Sequence, residues 1–264
     1  MPIRLRAGAV SDTGAHRAIN QDAAFAAPWG AAVADGVGGG PAGDLASAAF
    51  VHRLAAGRLD AIDAEHLAVS VRAANWDLRA HVTRDPSLHG MATTFTGIFV
   101  SMSGSLLLAH TGDSRAYLLR DGQLVQQTRD DSYVQALVDR GMMTAEDAAS
   151  HPRRNLITAS LSGAERDAAT VVEYTAVPGD RWMLCSDGLT DYVPIADVAE
   201  LLRHNKDPDS AAAASVALAL EAGTRDNVTV VVSDIVGDDE VDVAAHARFY
   251  GAAAARFTEG LESA

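Results

Sequence analysis

Residues 93–128 alternate short β-forming runs with turn signals, and this pattern limits the possible folds more than any other feature of the chain. Residues 93–102 are dense in β-branched and aromatic side chains, and a Ser-Gly turn separates them from a second run at 105–110. Residues 116–119 and 124–128 flank Asp121-Gly122, the strongest short hairpin signal in the sequence. Strands joined by tight hairpins pair antiparallel. The centre of the chain therefore predicts antiparallel sheet and not a regular βαβ alternation.

Helical patterns flank this centre on both sides. The apolar residues of 63–84 recur at the i, i+4, i+7 spacing of an amphipathic helix. Other helices are predicted at residues 44–59, 194–203 and 208–222, with two short ones in 132–150, and other strands at residues 5–10, 31–34, 170–175, 181–185 and 227–236. Hairpin-linked strands interspersed with pairs of helices indicate an α+β fold.

The length of the chain favours one large domain. Its 264 residues, 48% of them hydrophobic, can bury a substantial core. The sequence shows neither a repeat nor an internal low-complexity linker, so residues 1–237 are predicted to form one domain. No stretch approaches the roughly 18 uninterrupted apolar residues of a membrane span. The N-terminus lacks the apolar region of a secretory signal, which favours a cytoplasmic location.

The charge balance argues against nucleic acid as a partner. The net charge is −14 and the sequence pI is about 4.9, whereas nonspecific nucleic-acid binding depends on cations that neutralise phosphates. The surplus carboxylates either form a solvated acidic surface or converge on bound cations. A single cysteine, Cys185, leaves no internal disulfide and no metal cage made of cysteines.

The C-terminal residues 238–264 differ from the preceding domain. An acidic stretch leads into an alanine-rich segment, where an apolar stripe at helical spacing is formed by Tyr250, Ala254, Phe257 and Leu261. We predict a helix that docks on the surface of the domain, in preference to a helix that binds a partner.

Five aspartates stand out along the chain, and all of them except Asp22 lie next to the end of a predicted strand. They are Asp22, Asp35, Asp113, Asp187 and Asp226. One such aspartate alone is usually a turn residue, because its short side chain accepts hydrogen bonds from nearby backbone amides. Strands of one sandwich bring their ends together, and clustered carboxylates repel unless a cation lies among them. Oxygen ligands without cysteine or paired histidine favour Mg²⁺ or Mn²⁺ over Zn²⁺.

The aspartates lie in short motifs that follow one another in a characteristic order. The motifs are Arg17-x-x-Asn20-x-Asp22, Asp35-Gly36-x-Gly38-Gly39, Thr111-Gly112-Asp113-Ser114-Arg115, Asp131-Ser132-Tyr133-Val134, His151-Pro152-x-Arg154-Asn155, Ser186-Asp187-Gly188 and Asp226-Asn227. Over about residues 8–236 this series resembles the protein phosphatase 2C family, the metal-dependent serine/threonine phosphatases, in its bacterial form. The resemblance implies a four-layer α-β-β-α sandwich, with two mainly antiparallel sheets flanked by pairs of helices.

The resemblance also implies a set of metal ligands. Two ions, Mn²⁺ or Mg²⁺, would be bridged by the carboxylate of Asp35. Asp187 and Asp226 would complete the coordination of one ion, and the carbonyl of Gly36 would join the other. Asp113 would hold a third, weaker ion together with Asp187, as in bacterial members.

Two further residues acquire implied roles in the reaction. Asp22 would hydrogen-bond a metal-bound water, and Arg17 would bind the substrate phosphate, for which a planar bidentate donor is well suited. The activated water would attack phosphorus directly, without a covalent phosphoenzyme. The implied partners are phosphorylated proteins and a cognate eukaryotic-type serine/threonine kinase in signal transduction, and the protein is expected to be a monomer.

Two departures from the family pattern bear on this chemistry. Many relatives have glutamate at the position of Gln21, which keeps a carbonyl acceptor but loses the charge, so weaker binding of the second metal is expected. Animal relatives carry a histidine at the position of Val37 as the proposed acid for the leaving alkoxide. That acid is unassigned here, and a metal-bound water is the best candidate.

Three other sequence features suggest different sites, and each is a weaker candidate. Gly38-x-Gly40-x-x-Gly43 formally matches a dinucleotide-binding fingerprint, but residues 44–84 then predict two helices where a second parallel strand is needed. A cysteine-dependent phosphatase needs an arginine six positions after the nucleophile, and Cys185 is followed there by Asp191. His110 is expected to be hydrogen-bonded and not a metal ligand.

The alternative function of a different class is a catalytically weak or inactive relative that acts as a phosphoprotein-binding module. Loss of a metal aspartate would be its signature, and Asp35, Asp187 and Asp226 are all present. A narrower alternative is a phosphatase of anti-sigma-factor antagonists. The segments around Asp113 and His151 are more similar to phosphatases that oppose eukaryotic-type kinases.

Overall fold

Antiparallel strands and helices dominate the computed structural model, which describes residues 3–37, 42–57, 59, 62–237 and 246–256. The strands are β1 (Ile3–Asp12), β2 (Asp22–Ala27), β3 (Gly30–Val37), β4 (Ala92–Thr93), β5 (Phe95–Val100), β6 (Leu106–Thr111), β7 (Arg115–Arg120), β8 (Gln123–Gln126), β9 (Thr170–Tyr174), β10 (Arg181–Cys185), β11 (Val228–Gly237) and β12 (Arg248–Gly251). The helices are α1 (Gly43–Ala55), α2 (Ala64–Arg84), α3 (Tyr133–Asp139), α4 (Ala145–Ser150), α5 (Asp187–Thr190), α6 (Ile195–His204) and α7 (Pro208–Glu221), with a 3-10 turn at Pro86–Leu88.

The strands form two sheets. One has the order β1-β11-β10-β7-β8, and the other has the order β12-β2-β3-β5-β6-β9 with β4 paired to β3. The neighbouring strands of both sheets run antiparallel throughout the described pairs. Helix α1 is followed by α2, not by a parallel strand, so the second element of a dinucleotide-binding unit does not follow it. Gly38 and Gly40 lie outside the described residues.

Three layers of apolar side chains hold the sheets and helices together. Trp182, Ile98 and Val231 fill the space between the sheets. Helices α1 and α2 cover the β2-containing sheet through a cluster that includes Phe50 and Leu67. Helices α6 and α7 cover the other sheet through the cluster of Val198, Leu202, Val216, Met183 and Val230. The predicted α+β fold, a four-layer α-β-β-α sandwich, is confirmed.

Local chemistry accounts for the best-predicted elements. Asp121 (φ 51°) and Gly122 (φ 77°) adopt the left-handed conformation required at both central positions of the hairpin turn between β7 and β8. Asp63 caps α2 by accepting a hydrogen bond from the His66 amide at 2.8 Å. Helix α1 ends at Ala55, earlier than predicted. Of the helices described, none has the length and apolarity needed to cross a membrane.

The C-terminal segment differs from its prediction. Tyr250 lies in strand β12 and not in a helix, because residues 248–251 add to the edge of the sheet by pairing with β2. The following residues 252–256 are helical and include Ala254. Phe257 and Leu261, the other members of the predicted stripe, lie outside the described residues. A free sheet edge offers a row of backbone hydrogen-bonding groups, and here it outweighs the helical preference of an alanine-rich sequence.

Candidate metal centre

The β2-containing sheet supplies two of the predicted aspartates. Asp22 is the first residue of β2, and Asp35 lies near the end of β3. The two are direct partners in the antiparallel register. Like charges at opposite positions of a sheet repel, so this pair is unfavourable unless a proton or a cation offsets one charge. Thr94 fixes the backbone there, since its amide donates to the Asp35 carbonyl at 2.8 Å and its Oγ1 accepts from the Asp35 amide at 3.1 Å.

The other three aspartates lie at strand ends of the facing part of the sandwich. Asp187 opens α5 just after β10, and Asp226 comes just before β11. Because β10 and β11 are antiparallel neighbours, the end of β10 and the start of β11 lie side by side, so these two positions are at the same end of their sheet. Asp113 lies in the turn between β6 and β7, and β7 is the other neighbour of β10. The structure thus brings all five predicted aspartates to one end of the sandwich.

Backbone contact joins the two turns that carry Asp187 and Asp226. A Cβ atom added to Gly188 would overlap the carbonyl oxygen of Asn227, so only glycine allows the turn to pack this closely. Asn227 in turn ties β11 to the loop before β2. Its Nδ2 donates to the carbonyl of Ile19 at 3.1 Å, and its Oδ1 accepts from the Gln21 amide at 2.9 Å. These bonds fix Asp226 relative to the loop that carries Arg17.

The carboxylates raise one another's pKa. Burial raises the pKa of Asp35 well above its usual value, and the charges of Asp22, Asp187, Asp113 and Asp226 raise it further. Burial and neighbouring carboxylates, Asp113 first, also hold the pKa of Asp187 well above its usual value. Burial raises the pKa of Asp22 to about 6 and that of Asp113 to about 7. Such mutual destabilisation of the ionised forms is relieved by a bound cation.

Two buried carboxylate oxygens of the five predicted aspartates have no hydrogen-bond partner among the described residues. They are Oδ1 of Asp22 and Oδ1 of Asp187. The other oxygen of Asp22, Oδ2, accepts a hydrogen bond from Oγ of Ser186 at 2.7 Å. A buried carboxylate oxygen without a donor carries its full desolvation cost. The donor set, made only of hard oxygens, fits a divalent cation such as Mg²⁺ or Mn²⁺.

The described side chains do not form a complete coordination shell for a metal ion. No three Asp, Glu, His or Cys side chains of the described ranges are arranged to hold an ion. Asp226 is directed elsewhere, because its Oδ2 accepts a hydrogen bond from Nη2 of Arg17 at 2.7 Å and its Oδ1 accepts one from the Asn227 amide at 2.8 Å. A cation bound by Asp226 would therefore share its carboxylate oxygens with Arg17 and with the Asn227 amide.

Gly36 lies against the start of α1. A Cβ atom on Gly36 would overlap the carbonyl oxygen of Gly43. The Gly36 amide donates to the carbonyl of Gln21 at 3.1 Å, and Oγ of Ser47 donates to the same carbonyl at 2.6 Å. The backbone of Gly36 is therefore held between the loop before β2 and the first turn of α1.

Sequence reasoning missed two acidic residues next to Asp113 and Asp187. With these two, Asp130 and Asp191 line a cavity of about 340 Å³ beside α3 and α4. Asp191 follows Asp187 by one helical turn, and its amide donates to the Asp187 carbonyl at 2.9 Å. That i, i+4 spacing was the available signal. Asp130 forms a bidentate ion pair with Arg115, with contacts of 2.6–3.0 Å, and nothing in its local sequence pointed to this partner.

The other singled-out side chains are structural. Cys185 is buried in β10, and burial raises the pKa of its thiol to about 12, which suits an inert core residue. His110 is buried and hydrogen-bonded on both ring nitrogens, to Oγ1 of Thr96 at 2.9 Å and to the carbonyl of Arg129 at 3.0 Å. The expected hydrogen-bonded role of His110 is confirmed.

Sequence comparisons relate this chain to known phosphatases. A family profile described as protein phosphatase 2C matches residues 15–223. Serine/threonine protein phosphatase PstP of Mycobacterium tuberculosis (strain ATCC 25618 / H37Rv) is 45% identical over 238 residues, which are 89% of this chain and 46% of that protein. The chain thus spans less than half the length of this relative. Serine/threonine phosphatase stp of Listeria innocua is 34% identical over 210 residues, 76% of this chain and 82% of that protein.

The likeness extends to three-dimensional structure. The crystal structure of the catalytic domain of PstP in complex with two manganese ions superposes with a TM-score of 0.80 at 41% identity, and the match covers 89% of this chain and 100% of that one. The profile match, the sequence identity and the fold all indicate the same family. The chain belongs to the protein phosphatase 2C family.

Proposed function

We propose that this chain is a metal-dependent protein serine/threonine phosphatase that hydrolyses phosphoserine and phosphothreonine. The observation that carries the proposal is the register pair of Asp22 and Asp35, two like charges placed directly opposite each other beside Asp187. Such an arrangement is unstable as a purely structural feature and suits a cation site. The sequence similarity to named serine/threonine phosphatases supports the same conclusion.

The residues are assigned by position. Asp35 would touch two ions, Asp187 and Asp226 would complete one of them, and the Gly36 carbonyl would face the other. Asp113, in the turn beside Asp187, would take part in a third, weaker site. Mn²⁺ and Mg²⁺ both suit these oxygens. The two manganese ions bound to the PstP catalytic domain support the choice of a dinuclear site.

The proposed chemistry is a direct displacement at phosphorus. When bound, the two cations supply Lewis acidity that lowers the pKa of a water and offsets the charge of the phosphoryl group. Asp22 is buried opposite Asp35 and would accept a hydrogen bond from that water. Arg17 has a side chain that is 42% exposed, so its guanidinium can reach a phosphate while staying at the edge of the site. Its planar, bidentate geometry matches phosphate oxygens.

Arg17 offers a test of phosphate recognition. Arg17→Ala is expected to lower kcat/KM for a phosphopeptide by about 10²-fold, since one well-placed cationic donor to a transferring group contributes on that scale. Arg17→Lys should recover only part of the loss, because lysine cannot bind in a bidentate manner. Arg203→Ala serves as the control in steady-state assays, because Arg203 is exposed and contacts the β7–β8 hairpin at Gly122, at the end of β7 away from Asp113. An Arg17→Ala enzyme with unchanged kcat/KM would remove Arg17 from the site.

The expected cellular context remains part of the proposal. The substrates would be phosphoproteins made by a eukaryotic-type serine/threonine kinase, and the protein would act as a cytoplasmic monomer in signal transduction.

The second candidate is a weak or inactive relative that binds phosphoproteins. One observation favours this second candidate: Asp226, a proposed metal ligand, is paired with Arg17.

Turnover of a phosphothreonine peptide separates the two candidates. The purified chain with Mn²⁺ should release phosphate, excess chelator should stop the release, and Mn²⁺ added back should restore it. Binding of the phosphopeptide without any release of phosphate, in Mn²⁺ and in Mg²⁺, would instead favour the binding module.

A further inference from the structure

The C-terminal residues 246–256 pack against β2, the strand that begins with Asp22. This segment lies beyond residues 15–223, the part of the chain that the family profile matches. Its strand β12 pairs with β2 in a register that places Gly251 opposite Ala23, the residue after Asp22. Gly251 has φ +61°, and a Cβ atom there would overlap the carbonyl oxygen of Asp22. The backbone of the segment therefore makes a turn in direct contact with the backbone of Asp22, a proposed site residue.

The segment is fixed along its whole described length. Ala252 and Ala253 are buried in the cluster formed with α1 and α2. The Ala253 carbonyl is hydrogen-bonded to Nε2 of His52 at 2.7 Å, and the rings of His52 and Phe249 are in tilted contact with centroids 4.2 Å apart. The attachment thus combines sheet pairing, apolar burial and hydrogen bonding. This combination is typical of an integral part of a domain and not of a loosely bound tail.

The end of the segment holds the first turn of α1. Nε and Nη2 of Arg256 donate to Oδ2 of Asp44 at 3.2 and 2.5 Å. The side chain of Asp44 is only 15% exposed, so the pair is better shielded from water than an ordinary surface ion pair. Asp44 follows Gly43, and a Cβ atom on Gly43 would lie 2.9 Å from the carbonyl oxygen of Gly36. A displacement of Asp44 is therefore passed to Gly36 through direct backbone contact.

We propose that residues 246–256 brace the metal centre and that Arg256 is a positioning residue, which acts through Asp44 and Gly43 on the Gly36 carbonyl. The inference rests on the proposed metal site. A carbonyl ligand cannot rotate independently as a carboxylate can, so its placement depends on the backbone around it. Arg256 touches neither substrate nor metal, and its contribution is to hold the first turn of α1 at the distance that the site requires.

The test is Mn²⁺ affinity, measured by calorimetric titration of the full chain. Arg256→Ala is expected to weaken Mn²⁺ binding by roughly threefold to tenfold, less than the 10–100-fold typical of groups that hydrogen-bond a metal ligand directly. Arg256→Lys should recover part of the affinity. Asp44→Asn should reproduce the loss, and the double variant should lose little more than either single one, because the two act as a unit.

Arg248→Ala is the matched control. Arg248 lies on the same segment, where its Nη2 donates to the Ala7 carbonyl at 2.6 Å at the end of β12 away from Asp22. The Arg248→Ala substitution should lower the thermal stability of the metal-free protein and leave the Mn²⁺ affinity unchanged. Equal affinities for Arg256→Ala and the wild type would overturn the proposal, as would an equal loss in Arg248→Ala. A wild type that binds no Mn²⁺ would overturn the proposed function and the brace with it.

Discussion

Asp35→Asn is expected to lower phosphopeptide turnover by about 10³-fold or more, because it removes the carboxylate proposed to touch both cations. The same change is expected to make the metal-free protein more stable at pH 7–8. The pKa of Asp35 is raised by burial and by four neighbouring carboxylates. When the pKa of a carboxyl group is higher in the folded than in the unfolded state, the free energy of unfolding falls as the pH rises from the unfolded-state pKa through the folded-state pKa. Asparagine has no such cost.

The two effects have opposite signs, which distinguishes a functional site from a structural one. Thermal melts of wild type and Asp35→Asn, with chelator and with excess Mn²⁺, should cross: the variant melts higher without metal and lower with it. Asp121→Asn is the control, since Asp121 is also an aspartate at a strand end, and asparagine tolerates its left-handed backbone equally well. An Asp35→Asn protein that turns over normally, or melts lower than the wild type in chelator, would contradict the assignment.

Mn²⁺ itself should stabilise the folded wild type strongly. At a free concentration of about 100 times Kd, a ligand that binds only the folded state contributes about 2.7 kcal/mol, which corresponds to a Tm increase of roughly 5–10 °C for a domain of this size. Asp35→Asn should lose most of this shift.

The stabilisation by Mn²⁺ should also increase with pH. Metal ions bind ionised carboxylates and compete with protons. Burial raises the pKa of Asp22 to about 6 and that of Asp113 to about 7, so ionisation of these groups is completed only above neutral pH. The metal-free protein loses stability over the same range as the buried carboxyls ionise. Scanning calorimetry from pH 6 to 8 should show a growing difference between metal-loaded and metal-free protein, and a constant difference would contradict the carboxylate site.

The sequence predicted those elements whose determinants are local. The hairpin at Asp121-Gly122 needs only two residues that tolerate positive φ, and helix α2 needs only its periodic apolar face and the Asp63 cap. Strand β2 was missed because its sequence, Asp22–Ala27, holds four alanines and one phenylalanine. Its extended form depends on neighbours on both sides, β3 and β12. The same long-range pairing makes Tyr250 part of a strand.

The residues of the candidate site also fall into two groups, those that local motifs predict and those that depend on long-range contacts. The five aspartates could be identified because each lies in a recognisable motif and because strand ends of a sandwich must meet. The ion pair of Arg17 with Asp226 spans 209 residues, and that of Asp44 with Arg256 spans 212. Neither pair follows from local patterns, because it depends on the relative placement of elements from opposite ends of the chain. Roles that pass through backbone contact, as at Gly43 and Gly36, are equally invisible in a sequence.

Crystals of the full chain grown with Mn²⁺ would test the central claim most directly, through anomalous scattering measured at the manganese absorption edge. We expect two strong peaks within bonding distance of carboxylate oxygens, with Asp35 touching both ions and Asp187 and Asp226 completing one of them. Manganese peaks only at surface carboxylates, with Asp35 and Asp187 free of metal, would contradict the account.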